Sequence, residues 1–289
     1  MVNSLGLLGI LTMSEKRKDI LFYLLYKGPK TLPEIKDQFN VSSPDILPRL
    51  REMEKFNLIT RDEKSVYHIT QTGSILAGKY KPFLDTIQVF EGHDGFWNTH
   101  DLTPIPHHLL DRIQELKECR VIKEEQGYIY DTHREFVKNV LSSKKFKGIT
   151  TVFFSYWIDM FLELARRNVE ISIIVTDDVL SRIQNEYSEE LEDGLSHKNA
   201  HMYVIPDAPN IAFSVTDRFL SVSLHFKNNG QYDLKNDLMG FDSASLNWGK
   251  DLFNYYLEIS IEVKCSLPLN KFVASSEEII ESEGEAQTR

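Results

Sequence analysis

Apolar and polar positions alternate with a helical period three times in succession near the start of the chain, and then with a strand period, over residues 14–70. In SEKRKDILFYLLYKG the apolar positions fall on one helical face, with Ser14 as the expected N-cap. In TLPEIKDQF, Thr31 and Glu34 have the spacing of a capping box. The pattern predicts two helices, each with one apolar face.

A third helix is expected over residues 44–56, with Ser43 as its cap and Pro44 at its first position. Pro48 lies inside this segment, where it removes a main-chain hydrogen bond and is expected to bend the helix. The apolar face that we expect to be buried consists of Ile46, Leu47, Leu50 and Met53.

Two alternating segments, LITR and VYHIT, flank the polar turn DEKS and predict a hairpin. Three helices and a hairpin are the order of a winged helix-turn-helix, which we place at residues 14–71. In that fold the third helix enters the major groove and the hairpin touches the backbone, so we expect Arg49 and Ser43 to reach base edges. The expected DNA contacts are Ser42, Ser43, Arg49, Arg51, Lys55, Arg61 and Lys64.

The charge of the chain is divided unevenly between this segment and the rest. Residues 14–81 hold 13 Lys and Arg against 9 Asp and Glu, while the whole chain has a net charge of −10. A basic segment on an acidic protein favours contact with phosphates at one end. The alternative is a three-helix module that binds a protein instead of DNA.

Residues 72–118 are predicted to be a helical linker that begins with a broken apolar stripe and is kinked at Pro82. A helix that leaves a DNA-binding head often forms a dimer seam, which predicts a homodimer. The alternative is that the stripe packs within its own chain. Residues 1–13 form an apolar extension that is too short to span a membrane, and we expect it either to pack on the partner subunit or to precede a true start at Met13.

Residues 119–262 alternate between strand-like and helix-like segments and predict an α/β domain with a mostly parallel sheet. The run ITTVFFSYW, residues 149–157, is expected to be a buried strand, and small ligands bind beyond the carboxyl ends of such strands. The side chains that we expect around a small polar effector are Tyr156, Trp157, Thr176, Asp217, Ser221 and Asp233, with Tyr232 as a further candidate. The alternative for Trp157 is that it packs in the core and does not contact an effector.

The composition and the motifs exclude several classes of protein and several kinds of site. Two cysteines do not make a disulfide framework and have no zinc-site spacing, which favours a reducing cytoplasm. No long apolar run predicts a membrane span, and no nucleotide-binding or nucleophile-elbow motif is present, so neither a cofactor nor an enzyme is expected. The adjacent His107 and His108 point different ways on a helix, so no metal site is predicted.

Residues 263–289 are expected to be an acidic, disordered tail.

Two motifs resemble those of a known family. They are Phe96-Trp97 with His100-Asp101-Leu102, and Trp248-Gly249-Lys250-Asp251-Leu252-Phe253. Together with Gly230-Gln231-Tyr232-Asp233 they are similar to archaeal methanogenesis regulators, which place an ArsR-like winged helix before a Fil-type regulator middle domain. The resemblance covers about residues 14–260 and implies an effector domain like that of TrmB-type regulators. Beside the resemblance, we expect His100 to close the mouth of the effector site.

The sequence therefore predicts an α+β protein with a winged helix-turn-helix, a helical linker and an α/β effector domain. We expect a cytoplasmic transcription regulator that binds double-stranded DNA as a homodimer, and the resemblance implies control of methanogenesis genes such as those for methyltransferases. A small effector, or a sensor or transcription protein, is expected to act on the C-terminal domain. The alternative is an interaction protein that docks on the transcription machinery without a small molecule.

Overall fold

The computed structural model describes residues 4–93, 95–123 and 134–264, so the predicted tail lies almost entirely outside the described residues. The chain forms two compact units, Met1–Ile87 and Gln88–Arg289. Among the helices of the described ranges, none has the length and apolar character needed to cross a membrane.

The first unit combines helices with a small antiparallel sheet whose strand order is β1-β3-β2. Its elements are α1 (Ser4–Thr12), α2 (Glu15–Lys27), β1 (Lys30–Thr31), α3 (Leu32–Phe39), α4 (Ser43–Lys55), β2 (Ile59–Arg61), β3 (Val66–Ile69) and α5 (Gln71–Gly92).

Local capping signals set the helix boundaries of this unit. The Ser14 hydroxyl accepts the main-chain N–H of Arg17 at 3.4 Å, so α2 begins where the sequence predicts. The capping box of α3 is confirmed, since Thr31 N–H donates to Glu34 Oε2 at 2.8 Å and Glu34 N–H donates to Thr31 Oγ1 at 3.5 Å. The expected cap of α4 is wrong by one residue, because Ser42 has the extended N-cap conformation and Ser43 is already helical.

Arg17 connects three helices of the first unit. Its Nε–H donates to the main-chain oxygen of Ile10 in α1 at 3.0 Å. Its guanidinium also forms an ion pair with Glu52 of α4. Residues of the predicted N-terminal extension therefore belong to the packing of this unit, and Ile10 and Leu11 are buried in its core.

Only some of the apolar side chains of helix α5 are buried. Ala77 is buried in the core of the first unit, and Leu76 and Tyr80 pack against that core. Part of the predicted stripe therefore packs within its own chain. Further side chains of the helix, Ile75, Phe83 and Ile87, are exposed.

The second unit is built around one sheet of eight strands with helices on both faces. Its helices are α6 (Phe96–Thr99), α7 (His107–Leu110), a 3-10 turn (Ile113–Leu116), α8 (Arg134–Leu141), α9 (Tyr156–Arg166), α10 (Asp177–Glu186), α11 (Ser188–Ser196) and α12 (Ser243–Glu258). Its strands are β4 (Arg120–Lys123), β5 (Lys145–Thr150), β6 (Glu170–Thr176), β7 (Ala200–Ile205), β8 (Ile211–Thr216), β9 (Leu220–Leu224), β10 (Asn236–Gly240) and β11 (Ile261–Glu262).

The sheet is mixed, which corrects the expectation of a mostly parallel one. The strand order is β11-β7-β6-β5-β8-β9-β10-β4, and only β5, β6 and β7 pair in parallel. Helical crossovers join those three strands, whereas a short turn at Thr216–Arg218 joins β8 to β9, and short connections allow only antiparallel pairing.

The predicted strand over residues 149–157 is also corrected. Strand β5 ends at Thr150, and α9 begins at Tyr156. A continuous apolar run has no clear period, so its residues can belong to a strand, a loop and a helix in turn. Tyr156 and Trp157 therefore lie in the first turn of α9 and not at the end of a strand.

The two faces of the sheet are covered by different helices. Helix α12, with α6 and α7, packs on the face to which Phe213, Val222 and Leu238 point. Helices α8, α9 and α10 pack on the opposite face. Residues 96–116, which the sequence assigns to a linker, place Phe96, Trp97, Ile105, Leu109, Ile113 and Leu116 in the first of these two cores.

We predict that Gly73→Ala destabilises the first unit and that Gly78→Ala does not. A Cβ at Gly73 would overlap the main-chain oxygen of Leu58, whereas nothing lies within 4 Å of a Cβ at Gly78. Overpacking of this kind costs about 1–3 kcal/mol, while Ala in place of an exposed helical Gly gains up to about 1 kcal/mol.

Thermal and urea denaturation followed by circular dichroism measure both changes. Equal stability of the two variants would contradict the close approach of α5 to Leu58.

Candidate functional site

Four basic side chains are exposed on α4 and on the hairpin that follows it. Arg51 and Lys55 lie on the exposed side of α4, and Arg61 and Lys64 lie on β2 and in the turn after it. We call these four residues the basic surface. They are four of the seven predicted DNA contacts.

Tyr67 of β3 marks the point where the helix and the hairpin meet. Its ring is buried, and burial raises the pKa of its hydroxyl, while the charges of Arg61 and Arg51 act in the opposite direction. The guanidinium carbon of Arg61 lies 5.7 Å from the centre of the ring. Basic groups from α4 and from the hairpin therefore lie near the same buried tyrosine.

The other three predicted DNA contacts lie at the start of α4 or point along it. The Ser42 hydroxyl donates to the carboxylate of Asp45, and Ser43 is half-buried in the first turn. Arg49 is half-buried and donates to the main-chain oxygen of Asp45 in its own helix. Arg51 is thus more exposed than Arg49. Arg49 is the arginine for which the sequence predicts a contact with base edges.

In the second unit, His100 and Asp233 form a buried pair. His100 Nε2 lies 3.0 Å from Asp233 Oδ2, and His100 Nδ1 lies 2.7 Å from the main-chain oxygen of Phe96. The imidazole is stacked between the rings of Phe96 and Phe226 at 4.3 and 4.7 Å. The structure brings these two predicted site residues together, and it places them in a packed cluster.

Two further predicted residues lie at opposite ends of the sheet. The Thr176 hydroxyl accepts the N–H of Val179 and caps α10, beyond the carboxyl end of β6. Asp217 Oδ1 accepts the N–H of Lys144 at 2.8 Å, next to the start of β5. Since β5 and β6 run parallel, Thr176 and Asp217 are not brought together.

A cavity that opens to solvent lies between α9 and the face of the sheet formed by β5, β8, β9 and β10, and together with its opening it measures about 470 Å³. We call it the polar cavity. Of the predicted effector residues, Trp157 and Ser221 line it, and so does the further candidate Tyr232. Its polar side chains are Thr150, Ser214, Ser221, Ser223, Tyr232 and Asp237.

Small residues on neighbouring strands make the floor of this cavity. Gly148 of β5 pairs with Ser214 of β8, which pairs with Ser221 of β9. In the adjacent row, Ala212 of β8 pairs with Ser223 of β9. Because none of these side chains is large, the space between the floor and α9 stays open.

Asp237 is the acidic group of the cavity, and the Ser223 hydroxyl donates a hydrogen bond to its Oδ1. Burial raises the pKa of Asp237 to about 6, the bond from Ser223 opposes that shift, and the nearby charge of Asp233 adds to it. Burial also raises the pKa of Tyr232, and Asp237 and Tyr156 contribute to that shift. Among the described residues that line the cavity, none is Lys or Arg.

Aromatic rings from β5 and α9 complete the lining of the polar cavity. Phe146 and Phe161 meet edge to face at 5.0 Å between ring centres, and Trp157 and Phe161 at 6.4 Å. Trp157 Nε1 is buried and has no hydrogen-bond partner within the described residues. Tyr156 precedes it in the chain and is exposed.

A second cavity shares part of this aromatic lining and, together with its opening to solvent, measures about 710 Å³. Its lining is apolar and comes mainly from α9, α11, β6 and β7, and Thr150, Trp157, Phe161 and Ile173 line both spaces. Within the described ranges, no group of three or more His, Cys, Asp or Glu residues is arranged to hold a metal ion.

Sequence reasoning missed Ser223 and Asp237. The available signal was the strand LSVSL, in which leucine and valine alternate with serine. Alternation of this kind usually indicates that the serines face solvent. Here Ser221 and Ser223 are buried, because the sheet is covered on both faces.

Two domain families match the chain over most of its length. Residues 6–88 match the N-terminal domain of methanogenesis regulatory protein FilR1, and residues 129–259 match the middle domain of the same protein.

Among individual proteins, the chain is 23% identical over 258 residues to methanogenesis regulatory protein FilR1 of Methanothrix harundinacea (strain 6Ac). The match covers 88% of this chain but only 57% of that relative. Among solved structures, it is similar to TrmBL2, an archaeal chromatin protein, with 15% identity, a TM-score of 0.41 and coverage of 84% and 91% of the two chains. An IcIR transcriptional regulator from Alicyclobacillus acidocaldarius matches with 11% identity, a TM-score of 0.23 and coverage of 83% and 93%.

We predict that Asp237→Asn stabilises the second unit at neutral pH. Because the pKa of Asp237 is raised to about 6 in the folded protein, its ionised form costs stability above that pH. An amide avoids this cost and can still accept the hydrogen bond from Ser223, so we expect a gain of about 1–3 kcal/mol near pH 8.

The gain should vanish as the pH falls to about 4, since the protonated acid is then neutral like the amide. Melting temperatures measured across this range test the sign, with the exposed Asp207→Asn as the matched control. A variant that is less stable than the natural protein at neutral pH would contradict the assignment.

Proposed function

The chain belongs to the family of methanogenesis regulatory proteins, and on that premise we propose that it is a transcription regulator that binds specific DNA sequences. The first unit is the DNA-binding part, and the second unit senses an effector. The genes under its control are those of methanogenesis. The chain spans 57% of the length of its relative, so this proposal concerns the two units described here.

We assign the first unit to the winged helix-turn-helix class. Helices α2, α3 and α4 are followed by the β2–β3 hairpin, and α4 is the helix that would enter the major groove. The ion pair from Arg17 to Glu52 holds α4 against α2, and this leaves the opposite side of α4 open to solvent. An exposed helix held in a fixed orientation is what base reading requires.

The observation that carries the proposal is the basic surface itself. Arg51 from the helix and Arg61 from the hairpin lie near the same tyrosine, so both can face one duplex. Arg51 suits a base edge, because its guanidinium can donate two hydrogen bonds to guanine. Lys55, Arg61 and Lys64 suit phosphates.

We further propose that α5 joins two copies of the chain. Ile75, Phe83 and Ile87 are exposed on this helix, with 60%, 57% and 37% of their surfaces in contact with solvent. Large apolar side chains grouped on one helix favour contact with another protein surface. A second copy is the partner that a two-half-site operator requires.

The polar cavity is the proposed effector site of the second unit. It combines aromatic walls with a few polar groups, which is the usual composition of a small-molecule site. Helix α5 runs on from the first unit, and its Val89 is buried in a core of the second. We propose that a ligand that favours one arrangement of the second unit changes DNA binding by the first unit.

We predict that Arg51→Ala weakens binding to the operator by about 1–3 kcal/mol and removes the preference for that sequence. Lys64→Ala should weaken binding to every DNA and lower the salt dependence by about one phosphate contact. Fluorescence anisotropy with DNA from upstream of the protein's own gene, across a salt series, measures both effects.

The matched control is Lys198→Ala, which removes an exposed lysine of the second unit and should change nothing. If the protein binds random DNA as tightly as the upstream DNA, or if Arg51→Ala binds like the natural protein, sequence-specific reading by α4 is excluded.

We predict that Phe83→Glu and Ile87→Glu convert the dimer into a monomer, because each places a charge in an apolar seam. Sedimentation equilibrium measures the mass directly. Leu234→Glu, at an exposed leucine of the second unit, is the control and should remain dimeric. A natural protein that sediments as a monomer at all concentrations would rule out this seam.

A further inference from the structure

Asp237 is a carboxylate with no basic side chain among the described residues that line its cavity. Its polar neighbours in that lining carry hydroxyl groups, and the charge of another acid, Asp233, raises its pKa further. Its pKa is raised to about 6, so near neutral pH most molecules carry a partly buried negative charge there. Such a charge attracts a cation and repels an anion.

The rest of the lining is largely aromatic, with Phe146 on β5 and Trp157 and Phe161 on α9. The ring planes of Phe146 and Phe161 meet at 66°, and those of Trp157 and Phe161 at 76°. The negative face of an aromatic ring attracts a cation, most strongly for tryptophan. The same rings exclude water and favour alkyl groups.

The floor leaves room for a ligand that contacts both Asp237 and the aromatic rings. Gly148, Ala212, Ser214 and Ser221 are all small, so the cavity stays open above them. The serine hydroxyls can accept or donate hydrogen bonds, and so can serve any polar substituent of the ligand.

From this arrangement we propose that the polar cavity binds a small organic cation with apolar substituents, of the class of alkylated ammonium ions. Asp237 lies opposite the positive charge, and Phe146, Trp157 and Phe161 contact the alkyl groups. Ser223, which donates to Asp237, holds the carboxylate in place. The role of this ligand as an effector rests on the proposed function, whereas its binding does not.

Other classes of ligand fit less well. An anion would meet the charge of Asp237 without a Lys or Arg among the described lining residues. A neutral apolar molecule would leave the carboxylate uncompensated, and the adjoining apolar cavity offers it a better site.

The test is isothermal titration calorimetry on the full chain with trimethylammonium, tetramethylammonium and choline, at constant ionic strength. The control ligand is the uncharged carbon isostere of choline, in which carbon replaces nitrogen. We expect at least one cation to bind at least about tenfold more tightly than the isostere, and Asp237→Asn to weaken it by about tenfold or more. Trp157→Leu should also weaken it, and the exposed Asp207→Asn should bind normally.

Three results would overturn the proposal. They are equal binding of choline and its isostere, unchanged binding by Asp237→Asn, and no binding of any of the three cations at millimolar concentration. Weaker binding by Asp237→Asn would not be caused by unfolding, because this variant is expected to be more stable than the natural protein at neutral pH.

The same cations are then added to the anisotropy assay with DNA. Cation binding that leaves DNA affinity unchanged would support the site and contradict the effector role. The protein could also bind DNA specifically while binding none of the three cations. That result would support the proposed regulator function and overturn the proposed cation site.

Discussion

The second unit depends on a sheet whose central strands are covered on both faces. Strands β8 and β9 turn Phe213, Val215, Leu220 and Val222 toward one layer of helices, where large side chains fill the space. On the other face the same strands carry Ser214, Ser221 and Ser223, which cannot fill it. The small side chains of β8 and β9 on that face therefore leave room for the polar cavity beside the second core.

The first unit depends on a polar contact within a small apolar core. Arg17 joins α1, α2 and α4 through one guanidinium, and its neighbours Ile20 and Leu21 are fully buried. The orientation of α4 is thereby fixed from its inner side, so that the exposed side is free to carry Arg51 and Lys55. Packing and recognition are assigned to opposite sides of one helix, which is possible because the helical period separates them.

Local signals in the sequence predicted local structure well. The cap of α2 at Ser14 and the capping box of α3 lie where the pattern places them, because each depends on residues a few positions apart. The expectation of a mostly parallel sheet was wrong, since the antiparallel pairing of β8 with β5 joins segments far apart in the chain. The cavity lining was predicted only in part for the same reason: Trp157, Ser221 and Tyr232 were named, but Ser223 and Asp237 come together only across a strand pair.

The three tryptophans of the chain have different surroundings. Trp97 donates to His93 Nδ1 at 2.7 Å and Trp248 donates to the main-chain oxygen of Leu109 at 3.0 Å, and both are buried in the same core. Trp157 alone of the three is half-buried, with an indole N–H that has no partner in the described part of the chain, between two cavities. Indole emission responds to polarity and to neighbouring charge. The emission of Trp97 and Trp248 is therefore shielded, whereas that of Trp157 responds to a molecule that enters either cavity. Trp157 is thus an intrinsic fluorescent probe at the edge of the polar cavity.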